Sequence, residues 1–541
     1  MQTSGLTLEP PGVASPATLA VAAVTFLAAL VLYELFAYRK RRSMPPGPFR
    51  WPLIGNTLQV PQVHPWLTYS RWAQVYGNIL HLDALGQHII VINSAKVAHE
   101  LLDKRSAIYS GRPHLVMAGD LVGFDSSLVM QPYGDKLRQQ RRFISQDLSI
   151  ATLPRYCDIQ EAAARRLVLG VINDPGSLES QVKMSIASII MLVTYGYTVK
   201  NAEDHFIAQA FEMMDNFVLA IVPGTWLVDI IPPRKCCFDC SEVSILMGPT
   251  AVKYLPSWTP GATFLKTAKA WRKHLLTTNW MMYRWSKENS ENGTAHVPNL
   301  CASVLTEMEG KVTPQLEESL MWAAATVMGA GLDTNVSTIL SFILAMLRFP
   351  HVQKKAQAEI HAVVGSERLP EISDRPSLPY IRSVVTEVYR WLPAIPLCIP
   401  HALTEDDVYN GVFLPKGSVV MPNVWHMLHD PAIYPDPDAF KPERYGGLDS
   451  EMKKVTDLAF GFGRRACPGY HFAEGTIFSV VATVLATCDV VPVVNEHGQE
   501  IIPDIRYTTG AIIFPVDVKC TFRPRTEQAK AALVDSAATL L

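Results

Sequence analysis

A stretch of helical pattern about 35 residues long, close to 50 Å of helix axis, runs from the start signal Thr313-Pro314 to the stop signal Phe349-Pro350. It is too long for an ordinary surface helix. Its apolar run would also suit a membrane span, but Asp333 and Asn335 stand in the middle of it, where charge in lipid is costly. The pattern therefore predicts a buried helix crossing the core of a large body.

The rest of that body reads as mainly α with a minor β part. Helical patterns cover Ser185 to Tyr195, Leu265 to Trp285, Val352 to Val363 and Pro379 to Leu392. Strand-like runs are short: His88 to Asn93, and Val412 to Leu414 turning through Pro415-Lys416-Gly417 into Ser418 to Met421 as a hairpin. With 541 residues, no long polar linker and no internal repeat, the chain is expected to form one catalytic body.

Ahead of the body, residues 17–38 are apolar apart from hydroxyl groups and Glu34, long enough to span a bilayer core of about 30 Å. Arg39-Lys40-Arg41-Arg42 follows, while no Lys or Arg precedes the segment. The positive-inside rule then puts residues 1–16 in the lumen and the body in the cytosol. Without a basic n-region or a small-residue cleavage site, an uncleaved anchor is favoured over a signal peptide. Pro45-Pro46-Gly47-Pro48 stiffens the hinge at 39–56.

The formal net charge of −2 gives no whole-molecule attraction to nucleic acid, and 48% hydrophobic residues with eleven Trp supply an extensive core and apolar surface for lipid or ligand. Nine cysteines lack the spacing of a disulfide framework. Cys236, Cys237 and Cys240 include a CxxC, but no second pair lies at zinc-finger distance.

Near the C-terminus comes Phe460-Gly461-Phe462-Gly463-Arg464-Arg465-Ala466-Cys467-Pro468-Gly469, ahead of a helical stretch. With Pro468 in the first helical turn, Cys467 would stand where the helix dipole and unpaired N–H groups favour a thiolate. Gly463 and Gly469 would let the backbone approach a flat ring, and Arg465 would offer a cation to its acidic edge. This loop resembles the cysteine-ligand loop FxxGxRxCxG of the cytochromes P450, matched at Phe460, Gly463, Arg465, Cys467 and Gly469.

Other segments share the resemblance. Glu387 and Arg390 look like the family's ExxR pair, and Pro442-Glu443-Arg444-Tyr445 resembles the segment whose arginine joins that pair. Ala330-Gly331-Leu332-Asp333-Thr334-Asn335 is similar to the oxygen-activation motif, departing from it at Asn335. Gly331 is expected to open a groove for dioxygen, since glycine inside a helix costs about 1 kcal/mol relative to alanine. In a segment similar to the family's WxxxR, Leu137 replaces the Trp and Arg141 supplies the Arg. His401 falls where the family often contacts a propionate. Between Pro232 and Val252 the chain is longer than the family's usual connection, so residues 233–250 are either an insertion at the substrate entrance or translated intron sequence.

The resemblance implies a cytochrome P450 fold over residues 57–525 with a tail at 526–541, and a single N-terminal transmembrane helix in the endoplasmic reticulum membrane. It implies haem b with Cys467 as axial thiolate, the thiolate favouring O–O cleavage. Arg141, His401, Phe460, Gly463, Arg465 and Gly469 would bind the cofactor, Asp333 and Thr334 would relay protons, and Glu387, Arg390 and Arg444 would be structural. No dinucleotide fingerprint is present, so electrons are expected from NADPH-cytochrome P450 reductase, with a cytochrome b-type protein as a second donor. The alternatives are a haem-thiolate isomerase or dehydratase acting without reductase, and a non-catalytic haem carrier or gas sensor. Segments resembling the family's substrate contacts, the loop around His114 to Phe124, the region near Phe217, the helix around Met328, the turn at Ala394 to Leu397 and Gly510 to Ile512, are mostly apolar, implying a lipophilic small molecule of secondary metabolism or a xenobiotic.

Overall fold

The computed structural model describes residues 44–201, 203–221, 225–230, 262–296, 298–308 and 312–538, together with Val21 and Thr25. Apart from those two residues, the expected anchor 17–38 lies outside the described residues. So do residues 1–16, the basic cluster Arg39 to Arg42 and the segment 233–250 with its three cysteines.

Helices dominate. Those that build the site are α1 (Asp135–Asp147), α2 (Cys157–Asn173), α3 (Leu178–Tyr195), α4 (His205–Ala220), α5 (Thr263–Glu291), α6 (Pro314–Arg348), α7 (Pro350–Val363), α8 (Pro379–Trp391) and α9 (Tyr470–Thr487). The central helix α6 starts and stops where its end signals predict. The Thr313 side chain accepts from the Leu316 N–H at 3.3 Å and Pro314 fills the first turn. Long and apolar enough to cross a membrane, α6 is instead largely buried within the protein, packed against α3, α1, α9, α8 and α7. Its polarity pattern is that of a helix covered on nearly all sides.

Strands are short and peripheral. β1 (Ile79–Ala84) and β2 (Gln87–Ile92) form an antiparallel hairpin. β3 (His401–Ala402), β4 (Asp407–Tyr409), β5 (Val412–Leu414) and β6 (Val419–Pro422) follow, then β7 (Cys488–Val494), β8 (Glu500–Ile501) and β9 (Cys520–Pro524). The sheet orders are β1-β2-β6-β3, β4-β5 and β8-β7-β9. This corrects the expected hairpin between residues 412–414 and 418–421. Gly417 does turn the chain, at φ +81°, but β5 pairs with β4 while β6 runs parallel to β2, so the two sides of that turn belong to different sheets.

Within the C-terminal tail at 526–541, residues Glu527–Ala538 form a helix that packs on α2 and buries Leu533 completely.

Candidate active site

The Cys467 loop lies between the helix Asp449–Ala459 and α9. The Cys467 N–H donates to the Phe460 carbonyl at 2.8 Å and closes the loop. Helix α9 begins at Tyr470 with Gly469 at its cap, so Pro468 precedes the helix and is not in its first turn as expected. Cys467 opens onto a cavity shared with His99, Asp103, Phe460, Gly461 and Tyr470. Enclosure in protein pushes the thiol's pKa up; the Gly469 N–H and the Arg141 charge act the other way.

Gly463 sits at φ +52°, and a β-carbon there would overlap the Leu102 carbonyl, so its bareness also serves protein packing. A β-carbon on Gly469 would meet no protein atom within 4 Å, which leaves the space in front of the loop free for a flat group. Asp103, unremarked in the sequence, also fixes the loop. It accepts from the Gly463 N–H at 2.6 Å through Oδ1 and pairs with His99 Nδ1 at 2.6 Å through Oδ2. That bond raises the His99 pKa.

Around the Cys467 loop lies a group of cations, Arg465 buried and Arg112 and Arg141 half-buried. Arg465 is held by the carbonyls of Ser110 (2.9 Å), Leu128 (3.2 Å) and Gln131 (2.6 Å). Arg141 donates to the Ala466 carbonyl at 2.9 Å. Arg112, which the sequence reading missed, donates to Val129, Ile399 and Pro400 carbonyls at 2.8 Å each. Burial, then mutual repulsion, pulls the pKa of Arg112 down to about 10 and that of Arg465 down to about 9. Burial also lowers that of Arg141.

His401 is 1% exposed. Its Nδ1 is 2.8 Å from the Tyr109 carbonyl, to which it donates, and its Nε2 has no partner among the described residues. Burial and Arg112 depress it to about 3. Among the described residues no carboxylate pairs with any of these four side chains. Sequestered positive charge is expensive without a counter-ion, so the three guanidiniums are matched to an external dianion, and the two propionates of a haem fit them. Leu137, at the position of the family's Trp, is fully buried in the core.

On α6, Thr334 lines an apolar pocket and donates to the Ala330 carbonyl at 2.8 Å. Asp333 does not line that pocket; its pKa is raised to about 6, by burial first and by the Asp215 charge second, with Lys183 opposing. Asn335 is buried and donates to the Gly331 carbonyl at 2.7 Å. The helix is unbroken here, and a β-carbon on Gly331 would stand 2.7 Å from Ile190 Cδ1. At Gly331 the structure shows a packing reason for the glycine: it lets α3 approach closely. The pocket itself draws Phe124, Phe217, Ile395 and Ile512 from the predicted segments. It adds Met213, Leu275, Asn279 and Trp322, which those segments omitted. His114 points elsewhere, to Asp120 at 2.9 Å.

Beneath the site, Arg390 donates to both carboxylate oxygens of Glu387 and to the carbonyls of Leu428 and Ala439. Glu387 also accepts from the Lys441 N–H, Arg444 Nε and the Tyr445 hydroxyl. The three predicted structural residues thus meet in one network.

A cysteine loop opening onto a cavity, a cation cluster matched to a dianionic ring and an apolar pocket floored by a long helix define the architecture of a haem-thiolate protein. The Cytochrome P450 family model matches residues 45–227 and 245–506. Similar proteins from Postia placenta are Cytochrome P450 monooxygenase 105, 83% identical over 99% of both chains, and Cytochrome P450 monooxygenase 226, 72% identical over 97% of both. Cytochrome P450 monooxygenase claR of Ampulloclitocybe clavipes is 36% identical over 93% of this chain and 91% of that one. A zebra fish cytochrome P450 solved with abiraterone shares the fold, at TM-score 0.65 and 23% identity over 85% of this chain and 100% of that one. The chain belongs to the cytochrome P450 family. Its enzyme class is cytochrome P450 monooxygenase, and membership implies a haem with a cysteine ligand.

Proposed function

We propose that this protein hydroxylates or epoxidises a lipophilic small molecule, using dioxygen and electrons from NADPH delivered by a separate membrane-bound reductase, with a cytochrome b-type protein as a second donor. The supporting observation is the cluster of Arg112, Arg141, Arg465 and His401, gathered near the Cys467 loop with no carboxylate partner among the described residues. Cys467 is the ligand, and Arg112, Arg141 and Arg465 hold haem b by its propionates, with His401 Nε2 joining them once a propionate's charge has favoured its protonation. Bound there, the haem supplies dioxygen activation and oxygen insertion.

The chain's own residues supply the setting. Phe124 and Phe217 meet edge to face at 4.8 Å in the pocket wall, keeping water from an apolar substrate. Asp333, near neutrality in its pKa, is suited to take up and release a proton at its carboxyl, and Thr334 holds a hydroxyl at the pocket floor. The sequence of residues 17–42 supports a single-pass anchor in the endoplasmic reticulum membrane with the body in the cytosol. A product from secondary metabolism or a xenobiotic fits the pocket's character.

The test is spectroscopic and kinetic. The reduced carbon monoxide complex should absorb at the thiolate-ligated position, and Cys467→Ala should lose that band. A band unmoved in the variant would refute the ligand assignment. Oxygen uptake that does not depend on NADPH and a fungal reductase would refute the monooxygenase cycle and favour an isomerase.

A further inference from the structure

The Cys467 loop has little rigidity of its own. Its only regular piece is the short 3-10 turn Gly463–Arg465, a form whose hydrogen bonds are poorly aligned. Inside the loop the Arg465 N–H donates to the Phe462 carbonyl at 3.0 Å, the Ala466 N–H to the Gly463 carbonyl at 3.2 Å and the Cys467 N–H to the Phe460 carbonyl at 2.8 Å. The place of Ala466, and with it of Cys467, thus follows from how Gly463 is held.

Gly463 is held by a segment 360 residues earlier in the chain. Residues His99–Lys104 form a π-helical turn, a rare geometry met mostly at functional sites. From it Asp103 Oδ1 accepts the Gly463 N–H at 2.6 Å. The Leu102 carbonyl and Ser106 Cβ stand where a β-carbon on Gly463 would go, so the two backbones touch directly. His99 completes the grip. Its Nδ1 meets Asp103 Oδ2 at 2.6 Å, and its ring packs edge to face on Phe462 at 5.7 Å.

Folding stability does not explain this pair. The His99 and Asp103 side chains are 39% and 37% exposed, and an ion pair so open to water adds little to the fold. Lys453 and Asp457, which face His99 from the helix Asp449–Ala459, are bonded to each other. The Asp103 carboxylate is left to His99 and Gly463, and a charge-assisted bond to a backbone N–H is among the stronger kinds. All these side chains line the cavity onto which Cys467 opens. Enclosure works against a thiolate there, and the Gly469 N–H and Arg141 that favour one can do so only while the loop keeps Cys467 in place.

We propose that Asp103 is a positioning residue for the iron ligand: its hydrogen bond to the Gly463 N–H holds the loop in the conformation that presents Cys467 as a thiolate, and His99 orients the carboxylate for that bond. The inference rests on the haem-thiolate reading above and adds to it two residues outside the loop. The working part is an acceptor oxygen at the position of Oδ1, so asparagine, with the same shape and an acceptor there, should serve in its place.

The test uses full-length, haem-loaded enzyme, and its readout is the reduced carbon monoxide complex. The thiolate band of that complex decays when the sulfur is no longer held as a thiolate, and the decay is timed at one fixed temperature. Asp103→Ala should lose the band about tenfold faster than wild type, the order expected when one charge-assisted hydrogen bond is removed. Asp103→Asn should restore most of the wild-type lifetime. His99→Ala should fall between, because the carboxylate remains but loses its orienting donor. The melting temperature of the resting ferric enzyme should be the same in all four proteins. A wild-type lifetime in Asp103→Ala, an asparagine variant no better than the alanine one, or a melting temperature that falls in step with the band, failure to fold included, would each overturn the proposal. A wild-type lifetime in His99→Ala would overturn the part given to His99. If wild type itself lacks the thiolate band, the haem-thiolate reading has failed; if wild type shows it and Asp103→Ala keeps it as long, only the role of Asp103 has.

Discussion

Arg390 meets Glu387 through two hydrogen bonds of 2.8 and 2.9 Å, and neither side chain is exposed at all. Each charge is fully committed to its neighbours, with Arg444 and the Tyr445 hydroxyl completing the shell around the carboxylate. Removing one partner leaves the other buried and uncompensated, a loss of about 3–5 kcal/mol. Arg390→Ala and Glu387→Ala should therefore accumulate little folded protein and bind little haem. Chemical denaturation and haem content measure this, and near wild-type stability in either variant would show that the network is dispensable.

Arg112 should matter to haem retention as much as Arg141 and Arg465. Its guanidinium faces both of them without an acidic partner, so a dianion relieves their repulsion. Arg112→Leu is expected to lower haem occupancy several-fold. Arg112→Lys should recover part of it, because a single ammonium restores charge but cannot span three carbonyls as the planar fork does. Haem-to-protein ratios of the purified variants decide the matter, and full occupancy in Arg112→Leu would remove it from the cofactor site.

The pH dependence of turnover should report Asp333. Its carboxyl is raised to about 6, first by burial and then by Asp215. The group is thus protonated below that pH and ionised above it. Removing the like charge with Asp215→Asn should move the acidic limb of the NADPH-supported rate to lower pH, whereas Lys183→Met, which deletes the opposing cation, should move it higher. In stability the sign runs the other way from a salt-bridged acid. A raised folded-state value favours the native protein at low pH, and that contribution fades as pH climbs from the unfolded carboxyl's range to about 6. Identical rate profiles in the three proteins would detach Asp333 from the proton path.

What the sequence could show depended on how local each signal was. Helix α6 carries its own ends, Thr313-Pro314 and Phe349-Pro350, and its limits follow from those residues. The Cys467 loop and the ExxR spacing are short, fixed patterns, so Cys467, Glu387 and Arg390 could be named before any geometry. The Pro415-Lys416-Gly417 turn was equally visible, yet its strands find partners at residues 407–409 and 89–92; pairing across such distances leaves no mark in a local pattern. Arg112 was hidden for a related reason: its lack of an acidic partner can be seen only once the chain has folded around it, although an arginine fixed between Gly111 and Pro113 was a hint. Gly331 shows the converse case: a familiar motif suggested one reason for a glycine, and packing supplies a second.

That reason can be tested by a pair of substitutions. A β-carbon at 331 would press on Ile190 Cδ1 from 2.7 Å, with Cγ1 next at 3.2 Å. Gly331→Ala should cost about 1–3 kcal/mol through overpacking, offset by roughly 1 kcal/mol of regained helix propensity. Ile190→Val removes the methyl in the way, at its own cost of about 0.5–1.5 kcal/mol. The two changes should then couple favourably, the double variant being more stable than the sum of the singles by on the order of 1 kcal/mol. Efficiency of NADPH use separates the two explanations. If the glycine serves helix packing, the double variant regains both stability and product formed per NADPH. Were it instead a passage for dioxygen, Gly331→Ala would waste NADPH, and trimming Ile190 would restore nothing.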